Sequence, residues 1–238
     1  MSVKLDNREQ SRSRVQDVRA AARDTVPVAM GYLPLGSAYG ILLTHSGIPW
    51  YWAPISCLLV FAGSMQFLSV SLLSTAAALP QVALATLAVN FRHVFYGLSF
   101  PLDRIRSRPA RAYGVFALTD ETYSLVAARA DGELSGRRIT YIQLLSHAYW
   151  TGSCTLGALA AYALPAGLKG LDFALTALFV VLAQESIYRQ RNLLSVVMGL
   201  SASLITAPLM RDNFLAMAIG IFFVMLIVSY LTQRRSRG

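Results

Sequence analysis

Between Thr25 and Phe91 the chain carries no Asp, Glu, Lys or Arg, an uncharged run of 67 residues. A helix needs about 20 apolar residues to cross the hydrocarbon core of a bilayer, so the run holds about three crossings. A helix buried in a water-soluble domain keeps a polar face at the 3.6-residue period, and no such face repeats here. Charge is scarce throughout, at 14% of residues against 55% apolar, where soluble domains carry about 25%. These features predict an all-α, polytopic integral membrane bundle and exclude a soluble fold.

The net charge of +9 raises the question of nucleic acid. The basic residues, however, gather at the ends and in short loops: Lys4 to Arg23, Arg104 to Arg111, Arg137 and Arg138, Arg189 and Arg191, and Arg234 to Arg237. Positive-inside bias and anionic headgroups produce that distribution. No run is interleaved with aromatic residues for base stacking, so no nucleic-acid partner is expected. Cys57 and Cys154 lie in apolar runs without metal or redox spacing and read as small buried hydrophobes. No cofactor is expected.

Hydrophobic stretches and turn signals divide the chain into eight segments: 26–46, 50–76, 80–100, 113–130, 139–163, 170–188, 193–209 and 213–231. Residues 1–24 read as a basic cytoplasmic segment without signal-peptide character, 25–231 as the transmembrane domain, and 232–238 as a basic cytoplasmic tail. Loop 101–112 carries Arg104, Arg106, Arg108 and Arg111 and should also face the cytoplasm. Three segments precede it and five follow, and odd numbers would place it outside. One segment in each half is therefore expected to enter and leave on the same side, giving six to eight membrane segments with broken or re-entrant helices. The candidates are segment one, rich in Pro and Gly, and segment four, which carries an acidic pair.

Polar groups at membrane depth are costly and mark candidate sites. Asn90-Phe91-Arg92-His93 is followed by Tyr96, and helical spacing pairs Arg92 with Tyr96 and Asn90 with His93. Arg92 either snorkels to lipid phosphate or holds a carboxylate. Thr119-Asp120-Glu121-Thr122-Tyr123 sits in the middle of segment four. Its adjacent carboxyls point to different sides of a helix: one is placed to pair with Arg92, the other to take and release a proton. The alternative is a surface helix with both acids solvated. Pro34, Gly36 and Gly40, with Pro27 and Gly31, suggest a broken helix whose ends bind substrate, or a kink with close packing. Gly63 and Gln66 suggest a second break beside an amide. His147 reads as a hydrogen-bonded packing residue, Glu185 with Arg189 as an interfacial ion pair, and Gly199 with Ser203 as another small-residue face. No Walker A, HExxH or GxSxG sequence is present, so neither an ATP-driven engine nor an enzyme is expected.

In order and spacing, Pro34-Leu35-Gly36 with Gly40, Phe61-Ala62-Gly63-Ser64-Met65-Gln66-Phe67, Asn90-Phe91-Arg92-His93 with Tyr96-Gly97, and Leu118-Thr119-Asp120-Glu121-Thr122-Tyr123 resemble the AzlC family. The likeness covers about residues 20–231. It implies the larger subunit of a two-component exporter in the bacterial inner membrane, multi-pass, moving valine, leucine and isoleucine, with methionine as a further candidate. It also implies a small AzlD-type membrane subunit, for which the Gly36/Gly40 and Gly199/Ser203 faces are possible contacts. In the corresponding mechanism Pro34, Gly36, Gly40, Gly63, Gln66 and Asn90 surround the amino-acid backbone groups. Arg92 faces the carboxylate, and Asp120, Glu121 and His93 serve the ammonium group or a coupling proton. A membrane enzyme using Asp120, Glu121 and His93 as acid–base groups is one competing class, and a non-transporting scaffold is the other.

Overall fold

A computed structural model describes residues 14–127, 129, 134–165, 193–209 and 214–235, with single helical positions at 173, 176, 180 and 184. The described residues are all-α. The helices are α1 (14–24), α2 (Val26–His45), α3 (Trp52–Leu59), α4 (Gly63–Ser74), α5 (Leu79–Asn90), α6 (Arg92–Ser99), α7 (Arg108–Phe116), α8 (Asp120–Ala127), α9 (Gly136–Ala160), α10 (Leu193–Leu209) and α11 (Phe214–Arg235). Segment 170–188, apart from those single positions, and the expected Glu185–Arg189 pair at its end lie outside the described residues. The chain divides into two units, one of residues 1–74 and 90–175, the other of 75–89 and 176–238.

In the first unit α2 packs along α9. At 20 residues, α2 is the one helix among the described residues long and apolar enough to cross a membrane by length and composition. Of the two readings of Pro34, a break or a kink with close packing, the break does not occur, for the helix runs unbroken past it. Proline removes one backbone donor, but in apolar surroundings a full break would strand further backbone groups with no water to take them. The helix ends where Gly47 adopts φ 84°. Its amide then donates to Thr44 O and that of Ile48 to Leu43 O, the paired closure that needs glycine just past a helix end.

The α2–α9 contact is made by small residues on both sides. A Cβ added at Gly36 would meet the Ser153 side chain, one at Gly40 the backbone of Cys154, Gly157 and Ala158, and one at Gly157 the backbone of Ser37. Gly36 and Gly40 thus face Ser153 and Gly157, and the two backbones touch, as small-residue spacing permits. This face is occupied by the chain itself, which corrects its assignment as a surface for a second subunit.

Three of the expected segments are interrupted. Segment 50–76 breaks at 60–62 between α3 and α4, 80–100 at Phe91 between α5 and α6, and 113–130 at 117–119 between α7 and α8. Segment four also begins earlier than expected, at Arg108, where Ser107 Oγ caps the amide of Ala110.

Helix α1 is tied to the start of α9 by charge. Asp24 accepts from Arg129 and from Arg138, whose Nη2 lies at 2.7 Å, and Asp17 accepts from Arg137 Nε at 3.1 Å and Ser135 Oγ at 3.2 Å. The Asp24 side chain is only 8% exposed, so its loss would leave two half-buried guanidinium groups facing each other. Asp24→Asn should lower the melting temperature in detergent by about 3–8 °C, from roughly 1.5–3 kcal/mol for bonds to a charged group. Asp17→Asn, at a more exposed pair, should change it by half that or less.

The second unit holds α10 and α11, with most of α5. A Cβ at Gly199 would lie 3.9 Å from the Phe222 ring of α11, so this small-residue position also faces a helix of the same chain.

Candidate functional site

Helix α8 starts where it does because Thr119 and Thr122 cap it reciprocally. The Thr119 hydroxyl accepts from the amide of Thr122 at 3.3 Å, and the Thr122 hydroxyl accepts from the amide of Thr119 at 3.0 Å. This is capping-box geometry with a second threonine in the usual Glu or Gln position. Asp120 and Glu121 therefore occupy the first turn of α8, not the middle of a helix. There the unpaired amides and the helix dipole favour negative charge.

The two carboxyls diverge. Asp120 takes Arg92 in a two-pronged pair, with Nε to Oδ1 at 2.8 Å and Nη2 to Oδ2 at 2.7 Å. Arg92 Nη2 also lies 3.4 Å from Ser64 Oγ, at the start of α4. Below this pair Tyr96 stacks on Tyr123 at 4.3 Å, and Tyr123 OH meets Ser99 Oγ at 2.9 Å, so α6 and α8 hold each other at two levels. Glu121 turns toward α2, where Tyr32 OH donates to Oε2 at 2.7 Å. The same phenol lies 3.3 Å from Thr119 Oγ1.

Gln66 and Trp150 fill the space beside Tyr32. The edge of Tyr32 meets Trp150 at 5.0 Å, and Trp150 Nε1 donates to Gln66 Oε1 at 2.8 Å. Gln66 Nε2 donates to Ser56 Oγ at 3.0 Å, and Ser56 meets Tyr39 OH at 2.9 Å. Gly63 leaves room for the indole, since a Cβ there would stand 3.0 Å from it.

The structure thus brings Arg92, Asp120 and Glu121 together with Ser64, Tyr32 and Thr119. It places the other candidates elsewhere. Gly36 and Gly40 lie under the α9 backbone and Pro34 on the exposed side of α2. Gln66 is 1% exposed, with its amide engaged by Trp150, Ser56 and Cys57. Asn90 and His93 are joined locally, His93 Nδ1 lying 3.1 Å from Asn90 O. Among the described residues no three His, Cys, Asp or Glu side chains converge as metal ligands would. Tyr32 and Trp150 were missed by sequence reasoning, because an aromatic in an apolar helix carries no local sign of its polar partner.

The site falls inside the region matched by the AzlC protein family model, residues 27–164. The branched-chain amino acid transport protein AzlC of Bacillus subtilis is 33% identical over 201 residues, covering 82% of this chain and 78% of that protein. An uncharacterized membrane protein of Helicobacter pylori is 31% identical over 212 residues, or 88% and 92% of the two chains. Inner membrane protein YgaZ of Escherichia coli is 29% identical over 181 residues, or 72% and 74%. No solved structure matches the chain.

Proposed function

The chain belongs to the AzlC family, and from that premise we propose that it is the larger subunit of a proton-coupled secondary exporter of valine, leucine and isoleucine, with methionine as a further candidate. It works in the inner membrane as a multi-pass protein, with a small AzlD-type membrane subunit as partner. The Bacillus subtilis relative bears the name of a branched-chain amino acid transport protein, which supports the substrate class.

The observation that carries the mechanism is the closed Arg92–Asp120 pair with Glu121 one residue on. An amino-acid zwitterion is the ligand such a pair suits. Its carboxylate takes the two-pronged contact of the guanidinium, and the released Asp120 carboxylate takes its ammonium group. Each charge exchanges one partner for another and none is left bare, which matters where unpaired charge is costly. Ser64 stands ready as a further donor to the carboxylate. An aliphatic side chain adds about 1.5–3 kcal/mol on burial. Glu121, held by Tyr32 and not by Arg92, is the carboxyl that takes and releases the coupling proton. An enzyme acting on a lipid-soluble substrate has less support, because both acids are already engaged, Asp120 by Arg92 and Glu121 by Tyr32.

Counterflow tests the reading. Proteoliposomes holding both subunits and loaded with unlabelled leucine should accumulate labelled leucine from outside, while those holding this chain alone should not. Absence of counterflow with both subunits present would sink the transport reading, and equal counterflow without the small subunit would sink the partner. Glu121→Gln should retain this exchange and lose accumulation driven by an imposed pH gradient.

A further inference from the structure

A helix that stops inside a bilayer strands carbonyls that its next turn would have satisfied. Helix α3 stops at Leu59, taking the amide of Phe61 away from the Cys57 carbonyl, and α7 stops at Phe116, taking the amide of Leu118 away from the Gly114 carbonyl. Two side chains of α9 take their place. His147 Nε2 lies 3.1 Å from Cys57 O, and Gln143 Nε2 donates to Gly114 O at 2.8 Å. A carbonyl only accepts, so Nε2 of His147 carries the hydrogen and Nδ1 is left to accept from Tyr113 OH, 3.0 Å away in the last turns of α7. The Phe61 ring, inside the first interruption, stacks on the imidazole at 4.3 Å.

Gln143 and His147 stand four residues apart and so share one face of α9, at 0% and 9% exposure. Just beyond the first interruption comes Ser64, and just beyond the second comes Asp120, and both meet Arg92. We propose that Gln143 and His147 are positioning residues: from one face of a continuous helix they hold both interruptions, and so fix the spacing at which Ser64 and Asp120 meet Arg92. The effect on substrate rests on the transport reading above, while the effect on the interruptions does not depend on it.

The test separates the two. In the full chain with Cys57 and Cys154 replaced by alanine, a reporter cysteine is placed at Ala62 or at Ala117, one in each interruption, and its rate of reaction with a maleimide is measured. Loss of a bond to a buried carbonyl is worth roughly a tenfold change in local opening. Gln143→Met, which keeps the volume and loses the donor, should raise labelling at 117 about tenfold with 62 unchanged within about twofold. His147→Phe should raise it at 62, and His147→Gln, which keeps a donor near the Nε2 position, should restore the original rate. In leucine exchange with both subunits, Gln143→Met and His147→Phe should raise KM about fivefold or more, with the maximal rate per folded molecule nearly unchanged. Labelling that rises equally at both positions, or at neither, overturns the proposal, as does a lowered melting temperature with KM unchanged. Should the unmodified complex show no exchange, the transport reading fails, and the labelling arm still decides whether these two side chains hold the interruptions.

Discussion

Gly40→Val should all but abolish folded protein, while Gly31→Ala should be tolerated without loss. A Cβ at Gly40 falls on the backbone of Cys154, Gly157 and Ala158, whereas one at Gly31 meets nothing within 4 Å. Backbone cannot swing aside as a side chain does, so relief requires α2 and α9 to separate. Overpacking a core commonly costs about 1–3 kcal/mol even where side chains yield, and here the whole contact opens. The expected loss exceeds about 3 kcal/mol, a large share of the roughly 5–15 kcal/mol that holds a domain. Gly36→Ala should fall between the two, because its first neighbour is the Ser153 side chain, which has other rotamers available. At Gly31, alanine should be neutral or stabilising by up to about 1 kcal/mol through helix propensity. Thermal unfolding in detergent and yield of monodisperse protein measure the series. A Gly40→Val protein as stable as the parent would mean that α2 and α9 do not meet in this way.

The same contact shows how much of the molecule could be read from sequence. Apolar stretches located α2, α10 and α11, although α2 alone among the described helices meets the length and composition of a crossing. Gly36 and Gly40 marked a close approach, but nothing local named Ser153 and Gly157 as the other side. Of the two readings of Pro34 and its glycines, a broken helix or a kink with close packing, the break does not occur, since one missing donor weighs little against the stranding of several backbone groups. The break before Gly63 was legible from its glycine beside an amide. Segment four was a candidate for a broken or re-entrant helix on its acidic pair, but the position of its break at 117–119 was not legible, because Thr119 and Thr122 read as ordinary polar positions unless a helix start is already assumed. In the site, the nearly complementary charges of Arg92 and the acidic pair were legible, because few charged residues lie within the membrane segments. Which acid faces Arg92 depends on the α8 cap, and the bonds of Tyr32, Gln143 and His147 are long-range pairings without local sequence signs.

Arg92→Lys should lower the apparent affinity for leucine at least tenfold while leaving the fold nearly intact. The Arg92 and Asp120 side chains are 36% and 26% exposed. A partly exposed ion pair contributes only about 0–1 kcal/mol to stability, so breaking it changes the melting temperature little. In the proposed mechanism the transport effect is larger, because an ammonium point charge cannot reproduce the planar two-pronged contact that the substrate carboxylate would inherit from Asp120. Asp120→Asn should be equally harmful, since it removes the group proposed to receive the substrate ammonium. The double variant Arg92→Gln with Asp120→Asn separates structure from function. If the pair serves only to neutralise itself, the double variant restores expression and exchange together. If it binds the zwitterion, the melting temperature stays near the parent's while leucine exchange by the double variant stays about a hundredfold or more below it, as expected when two charge-assisted contacts are lost. Melting temperature and counterflow measured on the same four proteins decide the matter. Full exchange by the double variant would remove Arg92 and Asp120 from substrate binding.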